Sequence, residues 1–262
     1  MRQTGILTRS EEFGSIYYDY ATDTFSAKVS TGKPLIPKSP LGIAWVIFGG
    51  CNLKCIHCYG NQEELSSTIL STKECLKICD QMIAAGIMRV VVCGGEPLMR
   101  SDIFDIIAHL KRGGVSVVLG TNGTYINETN VNNLVQCTRV EVSLDAATAK
   151  INNFVRPSRI KGGDAWNETL QAIEYCLGAN VNLRMLTALN SYNQTHIVGM
   201  ASILHELGVK DWALSWTIPA GRARFMYEEL KPSSEVIEVG VREERRLYPD
   251  VTQPDTLIEL LV

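Results

Sequence analysis

The chain has 262 residues, 45% hydrophobic and 20% charged, a composition that suits a folded domain able to bury a full apolar core. Its 25 Lys and Arg against 28 Asp and Glu give a formal net charge of −3, which argues against a nucleic-acid or anionic-membrane partner, since both are held by clustered positive charge. No run reaches the ~18 apolar residues of a membrane span, and Met1 to Glu12 has no signal-peptide core, so the expected location is cytoplasmic and the eight cysteines are expected to be reduced.

Residues 1–40 read as an N-terminal extension ahead of a single domain at 41–262. Within the extension, the β-prone runs Ser15 to Tyr20 and Thr24 to Val29 flank Ala21-Thr22-Asp23, a pattern that predicts a short β-hairpin. Such a hairpin either closes the bottom or side of the domain or offers an edge to a peptide strand. From residue 41 onward, strand-like segments at 41–48, 88–93, 115–120, 138–144, 181–188 and 211–217 alternate with amphipathic stretches at 71–85, 102–112, 127–136, 164–178 and 194–207. Ser71, Ser101 and Asp164 stand as N-caps, and Gly86, Gly113 and Gly208 as helix stops. Six such units predict an α/β fold, a partial (β/α)6 TIM-type barrel with its ligand-bearing loops at the carboxyl ends of the strands. A Glu- and Arg-rich stretch at 233–247 reads as a solvated helix, and the apolar finish at 257–262 as either a docked element or one cut short.

The chemistry is signalled by Cys51, Cys55 and Cys58, spaced C-x3-C-x2-C just after the first barrel strand. Three thiolates can hold three corners of a [4Fe-4S] cluster and leave the fourth iron open to a ligand. The competing reading is a structural zinc knot, which wants a fourth ligand; His57, the local candidate, is adjacent to Cys58 and would close a strained chelate. The run 89–93 opens into Gly94-Gly95-Glu96-Pro97, and paired glycines with a carboxylate suit close backbone approach to a ligand carrying an ammonium group. Cys75 and Cys79, four residues apart on one predicted helix, read as buried apolar side chains, whereas Cys93 either faces the cluster mouth or is buried. His109, His196 and His205 read as structural, and no H-E-x-x-H, nucleophile elbow or phosphate loop occurs.

Five motifs in order, Cys51-Asn52-Leu53-Lys54-Cys55-Ile56-His57-Cys58-Tyr59, Gly94-Gly95-Glu96-Pro97-Leu98, Thr121-Asn122-Gly123-Thr124, Val142-Ser143-Leu144-Asp145 and Pro219-Ala220-Gly221-Arg222-Ala223, resemble the radical S-adenosylmethionine (radical SAM) superfamily. The likeness covers residues 41–225 and is to the branch with molybdenum-cofactor cyclases, haem-pathway enzymes and SPASM-type peptide maturases. It implies a [4Fe-4S] cluster on Cys51, Cys55 and Cys58, S-adenosyl-L-methionine (SAM) on the open iron, and a low-potential electron donor such as flavodoxin or ferredoxin. The implied activity is reductive cleavage of SAM to a 5′-deoxyadenosyl radical that takes hydrogen from a peptide, small-molecule or tetrapyrrole-type substrate. By the same likeness Gly94 and Gly95 approach the methionine portion and Glu96 accepts from its ammonium group. Ser143 touches the carboxylate or ribose, and Arg156 pairs with the carboxylate, with Arg159 as the other choice. Asn122 is either a ribose or substrate contact or a turn former before Gly123, and Tyr59 either rests on the adenine or packs. Many such relatives carry a cysteine-rich carboxyl-terminal domain; here no cysteine follows Cys176, so either one cluster suffices or the chain continues. Two other readings stay open: a glycyl-radical enzyme activating enzyme, and a non-catalytic iron-sulfur or zinc module.

Overall fold

The computed structural model describes residues 5–60 and 69–233, so the stretches expected from 234 to 247 and at 257–262 lie outside the described residues. Six strands, β4 (Gly42–Phe48), β5 (Arg89–Gly94), β6 (Ser116–Thr121), β7 (Arg139–Ser143), β8 (Leu183–Leu189) and β9 (Trp212–Trp216), form one parallel sheet in chain order. Each falls within about two residues of its expected bounds, as alternation fixes the middle of a strand better than its ends. β4 and β9 have no strand partner on their outer sides among the described residues, so the barrel is open, as six units predict.

Side chains alternate across these strands. On β7, Val140 and Val142 are buried outward against helices, while Arg139, Glu141 and Ser143 point to the barrel axis. The outer core joins Val90, Val92, Leu119 and Val142 to Ile106, Leu110, Ile173 and Leu204 on the covering helices. Those helices are α1 (Thr72–Ala84), α2 (Ile103–Arg112), α3 (Val131–Leu134), α4 (Ala149–Val155), α5 (Ala165–Gly178), α6 (Ile197–Glu206) and α7 (Tyr227–Leu230). Cys75 and Cys79 are fully buried on α1, as their spacing implies. Ser71 closes a capping box with Glu74, and the Asp164 carboxylate accepts from Asn167 N at 3.2 Å.

Three local expectations change. The helix expected at 127–136 shrinks to one turn, because Asn127 and Asn130 turn their side chains onto nearby backbone and compete with helical pairing. Ser101 does not cap α2; Asp102 stands at that position, and its carboxylate is taken by Arg100 and Thr72. The short helix α4, unexpected between β7 and α5, delivers Arg156 to the strand ends.

The N-terminal strands β1 (Ile6–Glu11), β2 (Gly14–Asp19) and β3 (Thr24–Val29) form a three-stranded antiparallel meander instead of a two-stranded hairpin. β1 carries no strand signal in the sequence because Arg9, Ser10 and Glu11 end its apolar alternation. Arg9 is nonetheless fixed, donating to the Ser39 hydroxyl and to the carbonyls of Ser39, Pro40 and Gly86. The sheet closes the amino-terminal end of the barrel. Phe13, Ile16, Tyr18 and Tyr20 bury themselves with Met88, and Tyr20 Oη donates to the Gly114 carbonyl at 2.7 Å. Asp23, in the β2–β3 turn, binds Arg89 at 2.6 and 2.9 Å and also pairs with Arg139, the residues that open β5 and β7. Of the two roles open to the extension, this contact belongs to the lid. Among the described residues, no helix is long and apolar enough to cross a membrane.

Burial alone would raise the Asp23 pKa, but Arg89, Arg139 and the Tyr18 hydroxyl hold it below the usual carboxylate value. A depressed folded pKa stabilises the native state fully above the unfolded value of about 4, and that contribution is lost as pH falls through the folded pKa. Removing one partner of a buried ion pair costs about 3–5 kcal/mol. In denaturant titrations, Asp23→Asn should therefore destabilise most at neutral pH, with the gap to wild type closing below about pH 4. A gap independent of pH would contradict this account of the lid.

Candidate functional site

A cavity of about 510 Å³ runs from the barrel interior to the carboxyl ends of the strands. Cys51, Cys55 and Cys58 all line it, facing Gly94, Gly95, Asn122, Ser143 and Arg156. Among the described residues no three His, Cys, Asp or Glu side chains converge on one metal-ion position. The three thiols instead share a cavity wall, an arrangement suited to separate corners of a polynuclear cluster better than to one tetrahedral zinc. His57 Nδ1, buried beside the cavity, has no hydrogen-bond partner among the described residues. A buried polar atom of this kind is normally satisfied, and here a bound group can supply the donor. The donor set thus fits a cluster with a ligand next to it.

The cysteine loop is held as backbone, from three sides. Lys54 N donates to Pro157 O at 2.8 Å, Ile56 N to Val155 O at 2.9 Å, and Arg159 N to Asn52 O at 2.8 Å. On the β5 side, Gly95 N donates to Phe48 O at 2.7 Å and Glu96 N to Gly50 O at 2.8 Å. A Cβ on Gly95 would lie 1.9 Å from the Gly50 carbonyl oxygen, so this glycine lets two strand ends touch. From the far end of the chain, Arg222 N donates to Cys58 O at 2.8 Å and Arg222 Nη1 to Cys55 O at 2.7 Å. Gly221, at φ +53°, would drive a Cβ to 2.4 Å from the Tyr59 carbonyl.

One buried carboxylate organises the charge behind the loop. Asp145, fully buried after β7, accepts from His57 Nε2 at 3.1 Å, Arg156 Nε at 2.5 Å and Ala188 N at 2.8 Å. Burial works against its ionisation, but the Arg156 charge and His57 hold its carboxyl well below the usual carboxylate range. Arg156 Nη1 also lies 3.9 Å from Cys55 Sγ. Burial pushes the Cys55 thiol up to about 12, and Arg156 opposes that shift. A guanidinium here favours the thiolate that a metal centre requires.

The residues named from sequence do not all stand alike. Gly94, Gly95, Asn122, Ser143, Arg156 and Tyr59 line the cavity. Glu96 stands behind the wall: fully buried, its carboxylate accepts from Leu98 N at 3.0 Å, Thr121 Oγ1 at 2.7 Å and Asn122 N at 2.7 Å. Through these contacts it ties β5 to β6. Asn122 is a turn former, its Oδ1 accepting from Thr124 N at 3.0 Å, and its amide also reaches Asn52 at 2.9 Å. Of the two arginines, Arg156 lines the cavity, whereas Arg159 Nε supports the Leu53 carbonyl at 3.2 Å. Tyr59 is 66% exposed at the rim of the cavity. Cys93 lines the cavity in place of being buried. Asn52, Asp145, Gly221 and Arg222 support the site although the sequence motifs assign them no role; the signal for Asp145 is a charge directly after an apolar strand.

The profile of the radical SAM superfamily matches residues 45–204. The AdoMet-dependent heme synthase of Methanosarcina barkeri (strain Fusaro / DSM 804) is 31% identical over 187 residues, which cover 70% of this chain and 52% of that protein. The mycofactocin maturase MftC of Mycobacterium ulcerans (strain Agy99) is 27% identical over 199 residues, 75% of this chain and 52% of that protein. The chain therefore spans about half the length of these curated relatives. Among solved structures, Streptococcus suis SuiB bound to S-adenosylmethionine superposes with a TM-score of 0.73 at 14% identity, covering 94% of this chain and 70% of that one, a likeness of fold. Together with the five ordered motifs and three thiols on one cavity wall, the profile match and the heme synthase similarity establish that the chain belongs to the radical SAM superfamily.

Proposed function

We propose that this chain is a radical SAM enzyme whose Cys51, Cys55 and Cys58 hold a [4Fe-4S] cluster and whose substrate is a peptide or tetrapyrrole-type precursor. The observation that carries the proposal is that the three thiols, the Ser143 side chain and the Arg156 guanidinium line one cavity. When bound and reduced by a low-potential donor such as flavodoxin or ferredoxin, the cluster supplies the electron that cleaves SAM to methionine and a hydrogen-abstracting 5′-deoxyadenosyl radical.

The chain's own residues bind, orient and exclude water. Arg156, held by Asp145, offers a guanidinium edge to a carboxylate, and Ser143 a hydroxyl. Gly94 and Gly95 keep a side-chain-free wall, and Tyr59 stands at the rim within reach of an aromatic ring. Glu96 serves this site by fixing Thr121 and Asn122. Val91, Leu186 and Trp216 supply apolar wall, which limits water around a reactive intermediate. The peptide or haem-type precursor is supported by the kinds of relative matched, a heme synthase and a maturase.

Anaerobically reconstituted protein, reduced in the presence of SAM, should release 5′-deoxyadenosine. Cys51→Ala, Cys55→Ala or Cys58→Ala should each bind far less iron and release none, while Cys75→Ala keeps both. Full iron content with no 5′-deoxyadenosine under any low-potential reductant would overturn the proposal.

Asp145→Ala leaves Arg156 buried without its counter-charge, a loss of about 3–5 kcal/mol for breaking a buried pair. Its melting temperature and its iron retention during desalting should both fall. Wild-type iron retention in a folded Asp145→Ala protein would mean that Asp145 does not support the cysteine loop.

A further inference from the structure

Glu141 is a carboxylate inside the barrel, two residues below Ser143 on the same face of β7. It is the sole Asp or Glu on the wall of the cavity formed by the described residues, and Ala44 of β4, Val91 of β5 and Leu186 of β8 give that wall an apolar character. A charge in such surroundings is costly unless it is paired. Pairing comes from below. Arg139 donates from Nε at 3.1 Å and lies at 2.9 Å through Nη2, and both contacts fall on one oxygen, Oε1.

Arg139 is in turn held by Asp23 of the N-terminal lid, which also binds Arg89 and accepts from Tyr18 Oη at 2.5 Å. A line of alternating charge therefore runs from the lid, through Arg139, to Glu141 at the cavity floor. Within it, Oε2 of Glu141 receives no hydrogen bond from the described residues, and the residue as a whole is half-buried. After burial, the Glu141 charge is what raises the Cys93 thiol, which lines the same cavity one strand beyond Gly120.

We infer that Glu141 determines specificity by receiving a primary ammonium group of the substrate, and that Asp23 positions it through Arg139. The inference rests on reading the cavity as a reaction chamber and names the chemical class of what enters it. The geometry favours an ammonium over a guanidinium. A guanidinium fork pairs best with both oxygens of a carboxylate, and Oε1 is already filled by Arg139. A compact ammonium needs a single acceptor, and Oε2 is one. A substrate carrying an amine on an unbranched apolar chain would place the chain along Val91 and Leu186 and the charge on Glu141.

The test uses the reconstituted protein and three probes of one shape: dansylcadaverine, its guanidinium counterpart, and neutral N-pentyl dansylamide, each measured by equilibrium dialysis. Wild type should bind dansylcadaverine about tenfold or more tighter than the neutral probe, the scale of one charge-assisted hydrogen bond, and the guanidinium probe no tighter than the amine. In Glu141→Gln the preference for the amine should fall to within about twofold, with the affinity for the neutral probe unchanged. Asp23→Asn should shrink the same ratio, a change that loss of stability alone would not produce. Equal binding of the amine and neutral probes by wild type would overturn the assignment without any variant, as would a preference that survives Glu141→Gln or a guanidinium probe that binds best. An unchanged ratio in Asp23→Asn would overturn the positioning role. Release of 5′-deoxyadenosine by wild type, measured separately, distinguishes failure of this assignment from failure of the radical SAM reading.

Discussion

The cavity depends on a carboxylate that never touches it. Asp145 is fully buried at the end of β7 and joins four parts of the chain: His57 in the cysteine loop, Arg156 after α4, Ala188 on β8, and Asn152 of α4, whose side chain accepts from the Asp145 backbone N at 3.0 Å. An isolated buried carboxylate would be strongly unfavourable, so its ionised state exists only with these donors in place. The dependence runs both ways. Arg156 can stand near Cys55 in a dry wall only because Asp145 neutralises it, and the cysteine loop gains a side-chain anchor in addition to its backbone bonds.

The barrel separates two tasks along its axis. At the amino-terminal end, Tyr18, Tyr20 and Asp23 seal the interior with apolar packing and ion pairs, so the cavity opens at the opposite end. At the carboxyl end, loops from distant parts of the sequence meet around the cysteines: residues 155–159, the β5 end at Gly95 and Glu96, and Gly221-Arg222. Strand spacing and backbone contacts fix most of the cysteine loop, with His57 and Asn52 as its side-chain anchors. This leaves the thiols available for metal and the upper wall for a small ligand.

Much of this was legible in the sequence, for physical reasons particular to each segment. Val90-Val91-Val92 and Val117-Val118-Leu119 are continuous apolar runs because strands of a covered parallel sheet are buried on both faces, and such runs stand out. The Cys51, Cys55 and Cys58 spacing likewise carries its chemistry in three residues. What stayed hidden depends on partners remote in the chain. β1 is defined by its pairing with β2 and anchored by what Arg9 reaches at Ser39 and Gly86, not by apolar periodicity. The hold of Glu96 on Thr121 and Asn122 joins two strands, so the residues around it in the chain, glycines that signal a close approach, do not show it. Asp145 shows only as a charge directly after an apolar strand and Glu141 as one within a strand, since the role of each depends on its arginine.

The central claim is that Cys51, Cys55 and Cys58 leave one iron of a [4Fe-4S] cluster open and that SAM binds to it. Electron paramagnetic resonance of the reduced, reconstituted protein, recorded with and without SAM, tests this directly. The account predicts a [4Fe-4S]+ signal whose g values shift when SAM is added, because amino and carboxylate groups join the open iron. Superimposable spectra with and without saturating SAM would contradict it.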